Sequence, residues 1–171
     1  MKEKRGHMMG FALGILCLTA VDQWTKKLVV KNLMGNTPYV IWDGVFELFY
    51  SENRGAAFGI LQGRQTFFFV IAVCVFAAVV YVIAKLPAGR RFVPLEACLT
   101  VICAGAAGNL IDRVSQGYVV DFLYFKLINF PIFNVADCYV TVGTAVLAIL
   151  FLWYYKDEEF DMLYPKRKEK V

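Results

Sequence analysis

The chain has 171 residues and a net charge of +4; 59% of it is hydrophobic and 19% charged, with a mean hydropathy of +0.55. A soluble domain is roughly half apolar and a quarter charged, so the excess of apolar residues, gathered in blocks, excludes an ordinary water-exposed globule and indicates a membrane protein. The single histidine, His7, lies near the N-terminus, which excludes Ser-His-Asp, Cys-His and HExxH sites in the rest of the chain.

Lys2, Lys4 and Arg5 precede an uncharged run over residues 8–21. No small-residue cleavage site follows it, so the run is predicted to be an uncleaved first helix, 8–28, continuing through Asp22-Gln23-Trp24-Thr25-Lys26-Lys27. Gly10 and Gly14 form a GxxxG pair suited to close helix contact. Asp22 falls roughly 20 Å beyond Met8 along such a helix.

Residues 31–65 read as a first outer loop. Tyr39-Val40-Ile41-Trp42 and the β-branched and aromatic run 45–50 flank Asp43-Gly44, a two-residue hairpin signal. The segment Asn53-Arg54-Gly55-Ala56-Ala57-Phe58-Gly59 is too rich in small residues for a strand, and a tight turn is expected near Gly55. A small sheet resting on the membrane surface follows from this.

Residues 66–84 carry no charge and form the clearest spanning segment, expected to serve as scaffold. Lys85, Arg90 and Arg91 mark a short basic loop. The third helix is predicted over 94–111, with Pro94 in its first turn. Its Ala104-Gly105-Ala106-Ala107-Gly108 face lets a neighbouring backbone approach. Residues 112–134 form a second outer loop; within it 122–133 is apolar but holds Lys126, Asn129 and Pro131, which suits a segment lying on the bilayer. The fourth helix is predicted over 135–155, before a charged tail. The fold expected is an all-α membrane protein: four transmembrane helices, an outward β-rich cradle and an interfacial segment, in one domain over 1–171. The positive-inside rule puts both termini and the 85–91 loop in the cytoplasm and both polar loops outside.

The sequence has no GxSxG elbow and no Walker or GxGxxG phosphate loop. Its five cysteines lie in or beside apolar runs without a CxxC, as packing residues do, so neither a zinc site nor a disulfide frame is expected. Cys138 has no base beside it. Basic residues cluster in the tails and one short loop, matching lipid headgroups rather than nucleic acid. A Ser-Lys dyad from Ser51 or Ser115 with Lys126 has no supporting motif.

Carboxylates remain. A charged Asp at the bilayer centre costs about 2.5–3.5 kcal/mol on insertion scales, so acids beside spanning helices need a reason. Asp22, Asp112, Asp121 and Asp137 map to the outward side, with Asn53, Asn109 and Asn134. Each has a structural alternative. Asp137 stands three residues after Asn134, the spacing of a helix cap. Asp112 has Arg113 beside it, a cation that can form a fork to a carboxylate. Asp22 can pair with Lys26 one turn on. Asp121 lies among apolar residues with no cation nearby in sequence, and is the hardest to explain as structure. Two carboxylates sharing a site cannot both ionise easily, so one keeps a proton while the other takes one from water. Asp137 would be the ionised member, because a helix N-terminus stabilises an anion.

Five blocks in order resemble the lipoprotein signal peptidases, or signal peptidase II: Asp22-Gln23-Trp24-Thr25-Lys26; Asn53 to Gly59; Gly108-Asn109-Leu110-Ile111-Asp112-Arg113; Val119-Val120-Asp121-Phe122; and Phe133-Asn134-Val135-Ala136-Asp137. Ala104-Gly105 departs from the two glycines often found in the family. The resemblance implies an aspartic endopeptidase of the bacterial cytoplasmic membrane that cuts diacylglyceryl-modified prolipoproteins just before the lipid-modified cysteine. It implies Asp121 and Asp137 as the catalytic pair. Asp22, Asn53, Gly55, Asn109, Asp112, Arg113 and Asn134 would support the site or contact substrate. No metal or cofactor is implied, and the expected partners are substrate and membrane lipids, with the enzyme a monomer. The 122–133 segment and Tyr39, Trp42, Phe46 and Phe49 are expected to cover the site. The rival classes are a small proton- or ion-coupled transporter, whose acids belong near the midplane, and a non-catalytic membrane scaffold, which would tolerate Asp121→Asn.

Overall fold

The computed structural model describes residues 2–55, 65–87 and 89–163. Its main elements are helices α1 (Lys2–Leu33), α2 (Gln65–Lys85), α3 (Val93–Gln116) and α4 (Val135–Ile149), the last extended by a π-helical turn over Leu150–Tyr154. Among the described residues, four segments are long and apolar enough to cross a membrane: Arg5–Leu33, Thr66–Lys85, Arg90–Gln116 and Val135–Tyr154. Strands β1 (Tyr39–Trp42), β2 (Phe46–Asn53) and β3 (Val119–Phe125) form an antiparallel sheet in the order β1-β2-β3. Four helices with a small sheet is the architecture that the hydropathy blocks and the strand signals flanking Asp43-Gly44 predict.

On α1, Thr19, Asp22, Lys26 and Val29 are buried. Spacings of three and four residues put them on one helix face. That face meets α3, where the Thr19 hydroxyl donates to the Ala104 carbonyl over 3.3 Å. Gly14 is needed there, since a Cβ on it would lie 2.7 Å from Thr100 Cγ2. Gly10, the other half of the GxxxG pair, has nothing within 4 Å, so only one of the two makes the expected contact.

Helix α3 packs against α1, α2 and α4. Pro94 sits in its first turn, and Gly117, at φ 79°, ends it by donating its N–H to the Arg113 carbonyl over 3.1 Å. The helix thus runs past residue 111, because Asp112 and Arg113 turn inward to polar partners rather than out to a loop. Close packing on α4 depends on Gly105, whose added Cβ would strike the Ala136 carbonyl and lie 2.8 Å from Val140 Cγ2. Likewise α1 runs to Leu33, past residue 28, because Val29 and Leu33 pack against Val120 and Phe122 of β3.

The hairpin differs from the two-residue reading. Trp42 pairs with Phe46, so three residues connect the strands, with Gly44 at φ 68° and the Val45 N–H bonded to the Trp42 carbonyl at 3.0 Å. The first part of the apolar 122–133 stretch is strand: Phe122 to Phe125 belong to β3, whose Leu123 pairs with Leu48 of β2. Such pairing is non-local and leaves no mark within 122–133 itself. Beyond it, Leu127 and Ile128 stay largely exposed in a 3₁₀ turn. Residues Ala56 to Gly59 of the small-residue block lie outside the described residues.

Candidate active site

The site forms where the sheet meets the ends of α1, α3 and α4. Asp121 comes from β3, opposite Ser51 of β2. Asn53, the last residue of β2, donates from Nδ2 to Asp121 Oδ2 over 2.9 Å, and Asn134 donates from Nδ2 to Oδ1 over 2.6 Å. Asp137 sits in the first turn of α4, where the capping box is complete. Asn134 Oδ1 accepts the Asp137 N–H at 3.0 Å, and Asp137 Oδ2 accepts the Asn134 N–H at 3.2 Å. Its other oxygen accepts from Asn109 Nδ2 at 2.7 Å. Asn134 also donates to Asn109 Oδ1 at 3.1 Å. A chain of amides, Asn53, Asn134 and Asn109, therefore links the two carboxylates. The Asp137 carboxylate thus caps α4 and is at the same time linked to Asp121 through Asn109 and Asn134.

Asp121 is 2% exposed. Burial and the neighbouring Asp137 charge push its carboxyl up to about 7, against the opposing effect of the Asn53 and Asn134 amides and the Lys26 charge. Near neutral pH one proton is thus held at this carboxyl in an appreciable share of molecules.

A second acid pair lies deeper. Lys26, 3% exposed, contacts Asp22 Oδ2 and Asp112 Oδ2, each at 2.9 Å. Asp22 Oδ1 accepts the Ala136 N–H at 2.9 Å, and Asp112 Oδ2 the Val120 N–H at 3.2 Å. Gln23 ties α1 to α3 through Asp112 Oδ1 at 2.7 Å and the Gly108 carbonyl at 3.1 Å. Gly108 must lack a side chain here, because a Cβ would strike the Asp22 carboxylate. Asp22 and Asp112 thus fix helix ends and the strand start beside the aspartate pair, without touching it.

The Asp112–Arg113 fork does not form. Adjacent helix residues point to different faces. Arg113 donates instead to the Gly55 carbonyl at 3.2 Å and the Asn109 carbonyl at 3.3 Å, with its guanidinium 4.4 Å from the Phe68 ring centre. Gly55 is buried and turns on Asn53, whose Oδ1 accepts its N–H at 2.9 Å. The nine residues that the resemblance implies for the site, Asp22, Asn53, Gly55, Asn109, Asp112, Arg113, Asp121, Asn134 and Asp137, all fall in this cluster. Lys26 and Gln23 were missed as site residues, although an acid and a lysine one turn apart in a spanning helix signal a buried pair.

A cavity of about 480 Å³ opens on the cluster, lined among others by Asn53, Arg113, Phe130, Ile132, Asp137 and Cys138. Asp121 meets it through its hydrogen bond to Asn53. The cleft shared by α2, α3 and α4, about 260 Å³, reaches Asn109, Arg113 and Asp137 from the other side. A third opening of about 510 Å³ lies over the sheet, and its acid, Glu47, is tied to Lys126 at 3.1 Å. Of the aromatics expected to cover the site, Tyr39, Trp42 and Phe46 line none of these openings, and Phe49 lines only the one over the sheet. Phe46 packs on Phe125, and β1 lies at the far edge of the sheet. The 130–133 segment is what walls the cavity.

The Ser-Lys alternative has no geometry: Lys126 is paired with Glu47, and the Ser115 hydroxyl donates to the Ile111 carbonyl at 2.7 Å. Among the described residues no three His, Cys, Asp or Glu side chains group as metal ligands.

A family model described as Signal peptidase (SPase) II matches residues 14–153. The lipoprotein signal peptidase of Streptococcus thermophilus is 45% identical over 141 residues, 82% of this chain and 90% of that protein. That of Caldanaerobacter subterraneus is 46% identical over 134 residues, 78% of this chain and 89% of its own. Two solved bacterial membrane enzyme structures match at TM-scores of 0.73 and 0.74, with 30% and 32% identity. They cover 94% and 85% of this chain, and 93% and 94% of theirs is covered.

Proposed function

This chain belongs to the signal peptidase II family of bacterial membrane peptidases, and we propose on that premise that it removes signal peptides from prolipoproteins. It cuts just before the lipid-modified cysteine, with a water held between Asp121 and Asp137. The observation that carries this reading is the pair itself: two carboxylates joined through Asn134 and Asn109, one of them pushed up to about 7.

The chemistry follows from that asymmetry. Asp137, at a helix N-terminus that favours an anion, takes a proton from the water. The water oxygen bonds to the scissile carbonyl carbon. Asp121, carrying the shared proton, gives it to the carbonyl oxygen as charge develops there. As the tetrahedral diol collapses the C–N bond breaks, the proton gained by Asp137 goes to the leaving amine, and one diol hydroxyl returns its proton to Asp121, which restores the starting state. Arg113, Asn53 and Gly55 line or shape the wall where substrate backbone lies, while Asn109 and Asn134 hold the acids.

The active face is outward and both termini are cytoplasmic, by the positive-inside rule. A lipid-anchored cysteine then brings the scissile bond to the membrane boundary beside the sheet. The enzyme works as a monomer among membrane lipids. A transporter would carry its acids near the midplane, whereas these lie where α3 ends and α4 begins, beside the sheet.

The test is cleavage of a diacylglyceryl-modified precursor by purified protein in detergent. Asp121→Asn and Asp137→Asn are each expected to be folded and inactive. Cleavage by either variant at the parent rate would overturn the mechanism, and no cleavage by the parent protein would overturn the activity.

A further inference from the structure

An asparagine amide can face two ways, and only its partners decide which end is oxygen. In this site each of the three amides is fixed by a group that can only donate. The Gly55 N–H fixes Asn53, and the Asp137 N–H fixes Asn134. For Asn109 the fixing group is the Lys26 ammonium, 3.0 Å from Oδ1. A lysine has no acceptor, so the oxygen must turn to it and Nδ2 must face Asp137 Oδ1, 2.7 Å away. Reversed, the amide would set its oxygen against the carboxylate and its N–H₂ against the ammonium, two repulsive contacts in a part-buried place.

We propose that Lys26 is a positioning residue for the aspartate pair, acting through Asn109: it locks the amide that holds Asp137 in place. The proposal rests on the aspartate-pair reading above. Lys26 itself touches neither catalytic carboxylate. It is held by Asp22 and Asp112, so the three buried charges form one unit with a donor aimed at Asn109. Its charge also reaches Asp121, where it opposes the upward push of burial and Asp137. Among the described residues, the charged groups around the pair are Asp22 and Lys26 from α1, Asp112 and Arg113 from α3, and the two aspartates themselves. Among the described charged groups outside the pair, Arg113 reaches Asn109 at its backbone carbonyl, whereas Lys26 bonds the side-chain amide that holds Asp137.

The test compares Lys26→Met, Asn109→Ala and the double variant, using a lipid-modified precursor in detergent. Lys26→Met is expected to lower kcat by roughly 10²-fold through misplacement of the acid. KM should stay within about twofold, because substrate contacts are untouched. The alkaline limb of the pH profile should move upward, since Asp121 loses a cation. In the Asn109→Ala background, Lys26→Met should lower kcat little further. Full multiplication of the two losses, or a folded Lys26→Met with parental kcat and an unmoved limb, would overturn the proposal. If thermal unfolding shows that Lys26→Met does not fold, Lys26→Met is added to the Asp22→Asn, Asp112→Asn double variant, in which no charge is orphaned by it, and the limb shift and kcat loss are read against that double variant. An unmoved limb and unchanged kcat there would overturn the proposal. Failure of the underlying reading is separate: Asp121→Asn or Asp137→Asn would then cleave normally.

Discussion

Asn134 gives its amide N–H to Asp121 over 2.6 Å while its own oxygen takes the backbone N–H of Asp137 at 3.0 Å. One fully buried side chain therefore caps a helix and spans the two acids. Asn134→Ala is expected to cost about 1–2 kcal/mol in cap stability and to abolish most cleavage. Asn134→Ser keeps a capping oxygen but cannot reach both acids. Thermal unfolding together with kcat separates the two roles: serine should restore stability and leave activity low.

The raised carboxyl of Asp121 predicts a pH dependence of stability. Its folded value, about 7, lies above the ordinary 3.8. The folded protein therefore binds more protons than the unfolded chain between those values, and stability falls as pH rises through that window. The contribution is present in full below pH ~4 and gone above ~7. Asp121→Asn should flatten this slope, which thermal unfolding in detergent from pH 4 to 8 will read. An equal slope in the variant would contradict the burial argument.

Gly108→Ala places a methyl group against the Asp22 carboxylate and 3.3 Å from the Ala136 Cβ. The helix cannot give way without moving α4. Overpacking of this kind costs typically 1–3 kcal/mol, and here it also displaces the start of α4, where Asp137 sits. A lower unfolding temperature with a lower kcat is expected. Gly10→Ala, with open space around it, should change neither.

Lys126→Met removes the partner of Glu47 without touching the acid pair. The rate of precursor cleavage is expected to stay within about threefold of the parent. A loss of several orders of magnitude would revive a serine-lysine mechanism.

Much of this arrangement was legible because polar residues are conspicuous in so apolar a chain. Asp22, Asn109, Asp112 and Asp137 stand at the ends of hydrophobic runs, and helix spacing projects each from a known face. Asp121 was conspicuous for the opposite reason, an acid with no cation in sequence reach. Its explanation is non-local: Asn53 lies 68 residues away, across a strand pairing. The same cause hid the strand in 122–125, whose apolar residues read equally well as a segment lying on lipid. Lys26 was read only as a partner of Asp22. Its second and third contacts, with Asp112 and Asn109, come from another helix, and no spacing within α1 predicts them.

The fixed amides carry a further consequence for the ageing of the molecule. Hydrolysis of Asn53, Asn109 or Asn134 to aspartate leaves the outline of the side chain almost unchanged. It turns an N–H facing a carboxylate oxygen into a second oxygen facing it. A chemical lesion of a single atom, with no change in bulk, is enough to set like charges against each other at the centre of the site.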